Sequence, residues 1–159
     1  MPRARRALWA GALVCALPAT ALPAAPATAG PEARASRAEA RLVAAVNDYR
    51  AERGLKRLRR SGRLSSSADR FARHILRSDR LHHHRRIWGS SGFRWIGENL
   101  AWTPGRGTDP RRVVALWAGS ASHRRVLESR RLRWIGAGRE YGRLGRSRGS
   151  VWVLHVGGR

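Results

Sequence analysis

Trp117-Ala118-Gly119-Ser120-Ala121-Ser122-His123-Arg124 is the stretch around which the rest of the chain can be arranged. It closes an apolar run, Val113, Val114, Leu116 and Trp117, whose spacing suits one face of a helix. It then breaks at Gly119-Ser120 and presents a histidine just beyond the break. Two upstream pieces carry matching chemistry: Arg80-Leu81-His82-His83, and Gly97-Glu98-Asn99-Leu100-Ala101. Two imidazoles and one carboxylate can share protons or hold a divalent ion. His83, Glu98 and His123 are therefore the candidate site residues, and also the candidate metal ligands.

Working outward, Asp109-Pro110 reads as the start of that helix, with Asp at the N-cap and Pro at the first helical position. A short helix is expected to restart near His123 and carry Val126 and Leu127 inward. Upstream, Ser36-Arg37-Ala38-Glu39 has capping-box form, and Ala38, Leu42, Ala45, Val46 and Tyr49 follow at helical spacing. This predicts a helix over about 37–53, ended by Gly54, after a Pro/Ala linker at 30–36. A second helix is expected over about 62–80, with Leu64, Ala68, Phe71, Ile75 and Leu76 as its buried stripe. The three histidines His82, His83 and His84 stand at its exit, and 85–95 reads as a loop. The end of the chain predicts two strands, Trp134–Tyr141 and Ser150–Val156, joined by a Gly/Arg-rich loop at 142–149. Helices first and strands last suggest α+β with segregated layers.

The start of the chain has a different character. Arg3, Arg5 and Arg6 precede an uncharged Ala/Leu-rich run from Ala7 to Ala29, which ends in Ala27-Thr28-Ala29 before Gly30. This is the form of a signal peptide over 1–29, cleaved before Gly30 to leave a domain of about 130 residues. Pro18, Pro23 and Pro26 argue against a membrane span. The only cysteine is Cys15, inside that run, so the exported domain has no disulfide and must be held by its core. Six tryptophans after the signal supply much of that core.

The formal charge is +23; removing Arg3, Arg5 and Arg6, with no acid before Glu32, leaves +20. Such a surface attracts polyanions. Lys56 is the only lysine, and this arginine bias with abundant Ala and Gly also fits a high-GC coding preference. Export argues against a cytoplasmic DNA function.

The ordered set of pieces resembles the CAP superfamily of cysteine-rich secretory, antigen 5 and pathogenesis-related proteins, with its short exported bacterial members. The pieces are Asn47-Asp48-Tyr49-Arg50-Ala51-Glu52-Arg53-Gly54-Leu55, the histidine after the second helix, Gly97-Glu98-Asn99-Leu100-Ala101, Trp117-x-x-Ser120-x-x-His123-Arg124 and Ile135-Gly136-Ala137-Gly138. The resemblance spans about 38–157, within a domain of 37–159. It implies a three-layer α-β-α sandwich with a central antiparallel sheet, and a cleft lined by two histidines and up to two glutamates. The histidines fall on His83 and His123 and one glutamate on Glu98; the other falls on Ser120, and an asparagine usual after the second histidine falls on Val126.

Each residue also has a plainer reading. The His82-His83-His84 run would suit a solvated patch, Glu98 an ion pair or a brace for a turn at 97–101, and His123 a helix start satisfied by backbone. His74 and His155 read as structural or exposed, and Trp95 and Trp102 as packing. No nucleophile elbow surrounds Ser120 or Ser122, and His-Glu-x-x-His is absent. The expected function is non-enzymatic binding of a lipid or cell-envelope ligand at His83, Glu98, His123 and Ser120, by a secreted monomer. A weakly bound divalent metal such as zinc is the one cofactor considered. Anionic envelope polymer is a second partner class, and specific nucleic acid is not expected. The alternatives are a metal-assisted hydrolase of peptide or envelope polymer, and a cationic adhesin or toxin acting by charge.

Overall fold

The structure is a computed structural model that describes residues 31–159 apart from Trp88 and Gly89. The signal-peptide reading, Cys15 and the cleavage point at Gly30 lie outside the described residues. No helix among the described residues is long and apolar enough to cross a membrane.

Helix α1 runs Pro31–Ala51, longer than its sequence pattern suggested. The stretch read as a linker is helical from Pro31 onward, and Ser36 lies inside the helix rather than at its cap. Glu32, Ala33, Arg34 and Ala35 favour helix, and proline is tolerated at a first helical position. The connector then forms a two-residue strand β1, Arg59–Arg60, which pairs in parallel with the start of β3. Helix α2, Gly62–Ser78, begins at Ser61, whose hydroxyl accepts from Leu64 N, and ends at Asp79 in the left-handed region at φ 51°.

The largest correction concerns Gly97–Ala101, read above as a turn. It lies within strand β2, Trp95–Pro104, ten residues paired along their whole length with β4. Helix α3, Pro110–Gly119, starts as expected at Asp109, which accepts from Arg111 N. Helix α4, Ala121–Glu128, follows after Ser120 alone. Strands β3, Trp134–Leu144, and β4, Ser147–Gly158, leave only Gly145-Arg146 between them. The expected loop at 142–149 is therefore mostly strand; Gly145, at φ 59°, supplies the positive angle that a two-residue hairpin needs at its first central position.

The sheet order is β1-β3-β4-β2. All long pairings are antiparallel, and β2 is an edge strand. Alternation along β4 sends Trp152, Leu154 and Val156 to a core shared with Leu42, Val46, Val113, Trp117 and Leu127 of α1, α3 and α4. Val151 and Val153 point to the opposite face, against Ala68, Phe71, Ala72 and Ile75 of α2. The result is the expected α-β-α sandwich, with α1, α3 and α4 on one side and α2 on the other.

Helix α2 approaches the sheet very closely, because β3 places Gly136 and Gly138 beneath it. A Cβ built on Gly136 would lie 2.1 Å from Ser65 N, and one on Gly138 would lie 2.3 Å from the Ala68 carbonyl carbon. These neighbours are helix backbone and cannot swing aside. On the other face the buried Asn47 side chain bonds both the N–H and the C=O of Leu58, at 2.7 and 3.0 Å, and pins the connector to α1. Arg50, also buried, donates to Lys56 O, Leu127 O and Ser129 O, tying the end of α1 to the end of α4. We expect Gly138→Ala to destabilise the domain by about 3 kcal/mol or more, since α2 must lift off the sheet. Thermal unfolding of the two proteins measures this; an unchanged melting temperature contradicts the close approach.

Candidate functional site

The motif Gly97-Glu98-Asn99 does three jobs on one edge strand, because successive strand residues face opposite sides of the sheet. Gly97 faces α4, and a Cβ there would press to 3.1 Å on Val126 Cγ1. Val126 therefore packs directly on the strand. Asn99, fully buried, donates from Nδ2 to His123 O at 3.1 Å and so fixes the first turn of α4. Trp117 adds a bond from Nε1 to Leu100 O at 2.8 Å. Glu98, between Gly97 and Asn99, faces the α2 side.

There the Glu98 carboxylate is almost closed off from solvent, with its side chain 6% exposed. Its Oε1 accepts from His83 Nδ1 at 2.8 Å and from His84 N at 3.0 Å. Its Oε2 accepts from His155 Nε2 at 2.8 Å. Burial on its own would raise the Glu98 pKa. The bonds from His155, His84 N–H and His83 outweigh it and hold the carboxyl below its ordinary value. Glu98 is thus an anion fixed by three donors from two separate parts of the chain.

His155 is the member that sequence reading did not place. It is fully buried on β4, directly across from Glu98 in the strand register. Its signal was its parity with Val151 and Val153, which puts it on the inner face. The remaining histidines cluster nearby around Phe71: His74 stacks on it at 5.9 Å, and His82 and His84 lie 5.7 and 4.4 Å from it.

His83 is held at one nitrogen and open at the other side, with its side chain 66% exposed. Glu98 accepts from Nδ1, which leaves Nε2 as the nitrogen available to a ligand. The His123 ring, carried by α4 from the opposite layer, comes round the β2 edge to a centroid distance of 6.4 Å, tilted by 36°. Burial, followed by the charge of His83, lowers the His123 pKa and favours the neutral ring. Ser120 does not join this pair by any hydrogen bond among the described residues; its hydroxyl lies 3.1 Å from that of Ser122.

The structure therefore brings His83, Glu98 and His123 together, with Glu98 turned to the histidines rather than to a common ion. Among the described residues no group of three His, Cys, Asp or Glu side chains converges as a metal centre. What fits a divalent ion is the pair of imidazoles, His83 braced by a carboxylate in the manner common to metal-binding histidines. Two rings on one zinc stand about 5–6 Å apart between centroids, given zinc–nitrogen bonds near 2.1 Å, so His123 would close in slightly. Two cavities, of about 1030 and 930 Å³, lie elsewhere on the molecule, and the pair lines neither. Trp95 stands at the start of β2 with the Arg131 guanidinium 4.1 Å over its ring, and Trp102 packs on the α2-side core.

These features define a class of protein: an α-β-α sandwich whose edge strand carries Glu98 between His83 and His155. The model of the cysteine-rich secretory protein (CAP) family matches residues 43–156, and the chain belongs to that family. No curated protein sequence matches it significantly. Among solved structures it is similar to an outer surface protein of Borrelia burgdorferi, at 21% identity and a TM-score of 0.60, covering 74% of this chain and 90% of that one. An extracellular SCP-domain protein of Bacillus anthracis matches at 16% identity and a TM-score of 0.62, with 83% of this chain covering 45% of that one. Venom allergen-like protein 4 of Schistosoma mansoni matches at 14% identity and 0.60, over 76% of this chain and 88% of that one. At these identities the likeness is one of fold.

We expect Glu98→Gln to cost about 2–3 kcal/mol at pH 7, because an amide cannot accept equally from all three donors and carries no charge. A carboxyl whose folded pKa is depressed stabilises the fold above its unfolded value and loses that contribution as pH falls through the folded value. The gap between wild type and Glu98→Gln should therefore be full at pH 7 and shrink below about pH 4. Urea unfolding of both proteins across that range checks the sign; a gap that widens in acid contradicts the assignment.

Proposed function

We propose that this chain is an exported binding protein whose His83–His123 pair grips a ligand of the cell envelope, a lipid or an envelope component, without transforming it. The observation that carries this reading is the state of the pair. One ring is oriented by a buried carboxylate, the other is shifted by burial toward its neutral form, and both stand beside the edge of β2. The neighbouring hydroxyls support binding over covalent catalysis: Ser120 and Ser122 face each other, and no serine bonds to either imidazole among the described residues. The signal-like segment at 1–29 supports export, in keeping with extracellular relatives.

A divalent ion would be held by His83 and His123, with solvent completing its shell, and would supply Lewis acidity to a bound ligand. Glu98 would act on it only through His83. Two neutral donors with no directly bound carboxylate, in a domain of strong positive charge, make a weak site. Each imidazole must also be deprotonated to bind, so acid competes.

Native mass spectrometry of protein recovered from the exported fraction tests the reading. The expected result is a mature mass starting at Gly30, with an envelope-derived ligand that the His83→Ala, His123→Ala double variant fails to retain. Turnover of a peptide or envelope polymer by wild type, lost in that variant, would instead make the domain a hydrolase. For zinc, calorimetry should give affinity near the micromolar range at pH 7.5, falling about tenfold or more by pH 5.5 and lost on either single substitution. Nanomolar binding that persists at pH 5 refutes the weak site.

A further inference from the structure

The larger cavity, of about 1030 Å³, lies on the side of the sheet opposite α2, between α1, the β2–α3 connection and the outer half of β3. Five arginines converge on it: Arg37 and Arg41 from α1, Arg106 from the connection, Arg111 from α3 and Arg139 from β3. Its floor is less polar, formed by Ala38, Ala45, Tyr141 and the buried indole of Trp152.

Two of the arginines are built into place. Arg139 Nη2 donates to Arg106 O at 2.5 Å and to Ser150 Oγ at 2.9 Å, and that hydroxyl donates on to Gly105 O at 2.9 Å. This chain of bonds fixes the connection against the sheet. It sets the Arg106 guanidinium 3.8 Å above the Tyr141 ring, while the Arg139 guanidinium lies 4.9 Å from the Trp152 ring. Arg139 Nε is buried and has no hydrogen-bond partner among the described residues. Burial, followed by the neighbouring charge of Arg106, lowers the Arg139 pKa, against smaller opposing effects of Glu140 and Glu39.

Of the three acids lining the cavity, Asp48 has an ion-pair partner among the described residues, while Asp109 and Glu140 bond backbone N–H groups and keep their charge. Asp48 pairs with Arg57 at 3.2 Å, Asp109 accepts from Arg111 N at 3.0 Å, and Glu140 accepts from Tyr141 N at 3.3 Å. Glu39, whose carboxyl bonds Arg139 N from the sheet edge, is pushed up to about 7 by burial and by Asp69, and so compensates Arg139 only in part. Among the described residues, none of the five arginines has a carboxylate within ion-pair distance. Guanidinium forks bind phosphate oxygens in pairs, and a surplus of five over three favours a ligand with more than one negative charge. The alanine and tryptophan floor suits an uncharged body beside that charge. The cavity volume suits a small molecule rather than a duplex.

We propose that this cavity is an anion site for a phosphorylated polyol or sugar, taken either free or as a unit of a polyol-phosphate polymer. It is separate from the histidine pair and stands without it. Arg41 and Arg111 are the residues to test, since both are exposed at the rim and neither side chain bonds to the rest of the fold among the described residues. Glycerol 3-phosphate and a short poly(glycerol phosphate) are titrated calorimetrically in 0.15 M salt against three proteins. These are wild type, the double variant Arg41→Ala, Arg111→Ala, and a control of equal charge, Arg125→Ala, Arg130→Ala, altered on a surface outside the cavity. The expected result is binding by wild type that weakens about tenfold in the cavity variant and less than about twofold in the control. Tight binding of the single unit identifies a free ligand, and binding of the polymer alone identifies the polymer. Equal weakening in both variants, or no binding of either probe by wild type, overturns the proposal, since attraction would then be a property of net charge alone.

Discussion

The Glu98–His83 half of the histidine site depends on how closely α2 lies on the sheet. Gly136 and Gly138 remove two side chains from beneath it, and the helix backbone fills the space where their Cβ atoms would stand. That contact sets the height at which α2 ends. His83 and the His84 amide leave that end within 3.0 Å of a carboxylate on β2, on the far side of β4 from the glycines. A larger residue in the seam would raise the helix by more than the tolerance of a hydrogen bond. Packing on β3 and electrostatics on β2 are thus one constraint seen at two places.

Glu98 turns that packing into a defined site. A buried anion is tolerated only when its oxygens are satisfied, and here three donors from β4 and the α2 exit do so. The same bonds select which His83 nitrogen faces out. On the opposite face, Asn99 performs the parallel task with an uncharged amide, holding the backbone of His123 and so the start of α4. One edge strand positions both imidazoles, one from each layer of helices.

Charge is unevenly used in this molecule. Arg50 is buried against carbonyl oxygens alone and works as a structural tie. Others lie flat over aromatic rings, as Arg53 does on Tyr49 at 3.6 Å and Arg131 on Trp95 at 4.1 Å. The arginines round the large cavity combine such contacts, as Arg106 does on Tyr141 at 3.8 Å, with a position facing common space. A composition biased toward arginine therefore yields several distinct physical roles, and only position separates them.

The sequence by itself determined most helices, because helical spacing and the Asp109 cap act within a few residues; the three-layer order came from the family resemblance. The motif match also named His83, Glu98 and His123 as a set. Tertiary structure decided the rest. Gly97–Ala101 read as a turn because its glycine and polar residues mask a strand; pairing with β4 supplies the hydrogen bonds that local propensity does not. The two-residue strand β1 exists only through its partner β3. His155 entered the site through cross-strand register, a contact across 57 residues that no local pattern encodes. The role of Glu98, a brace for His83 rather than a partner in a three-ligand set, followed from where its two oxygens point, and that direction is fixed only when helix, strand and loop have packed together.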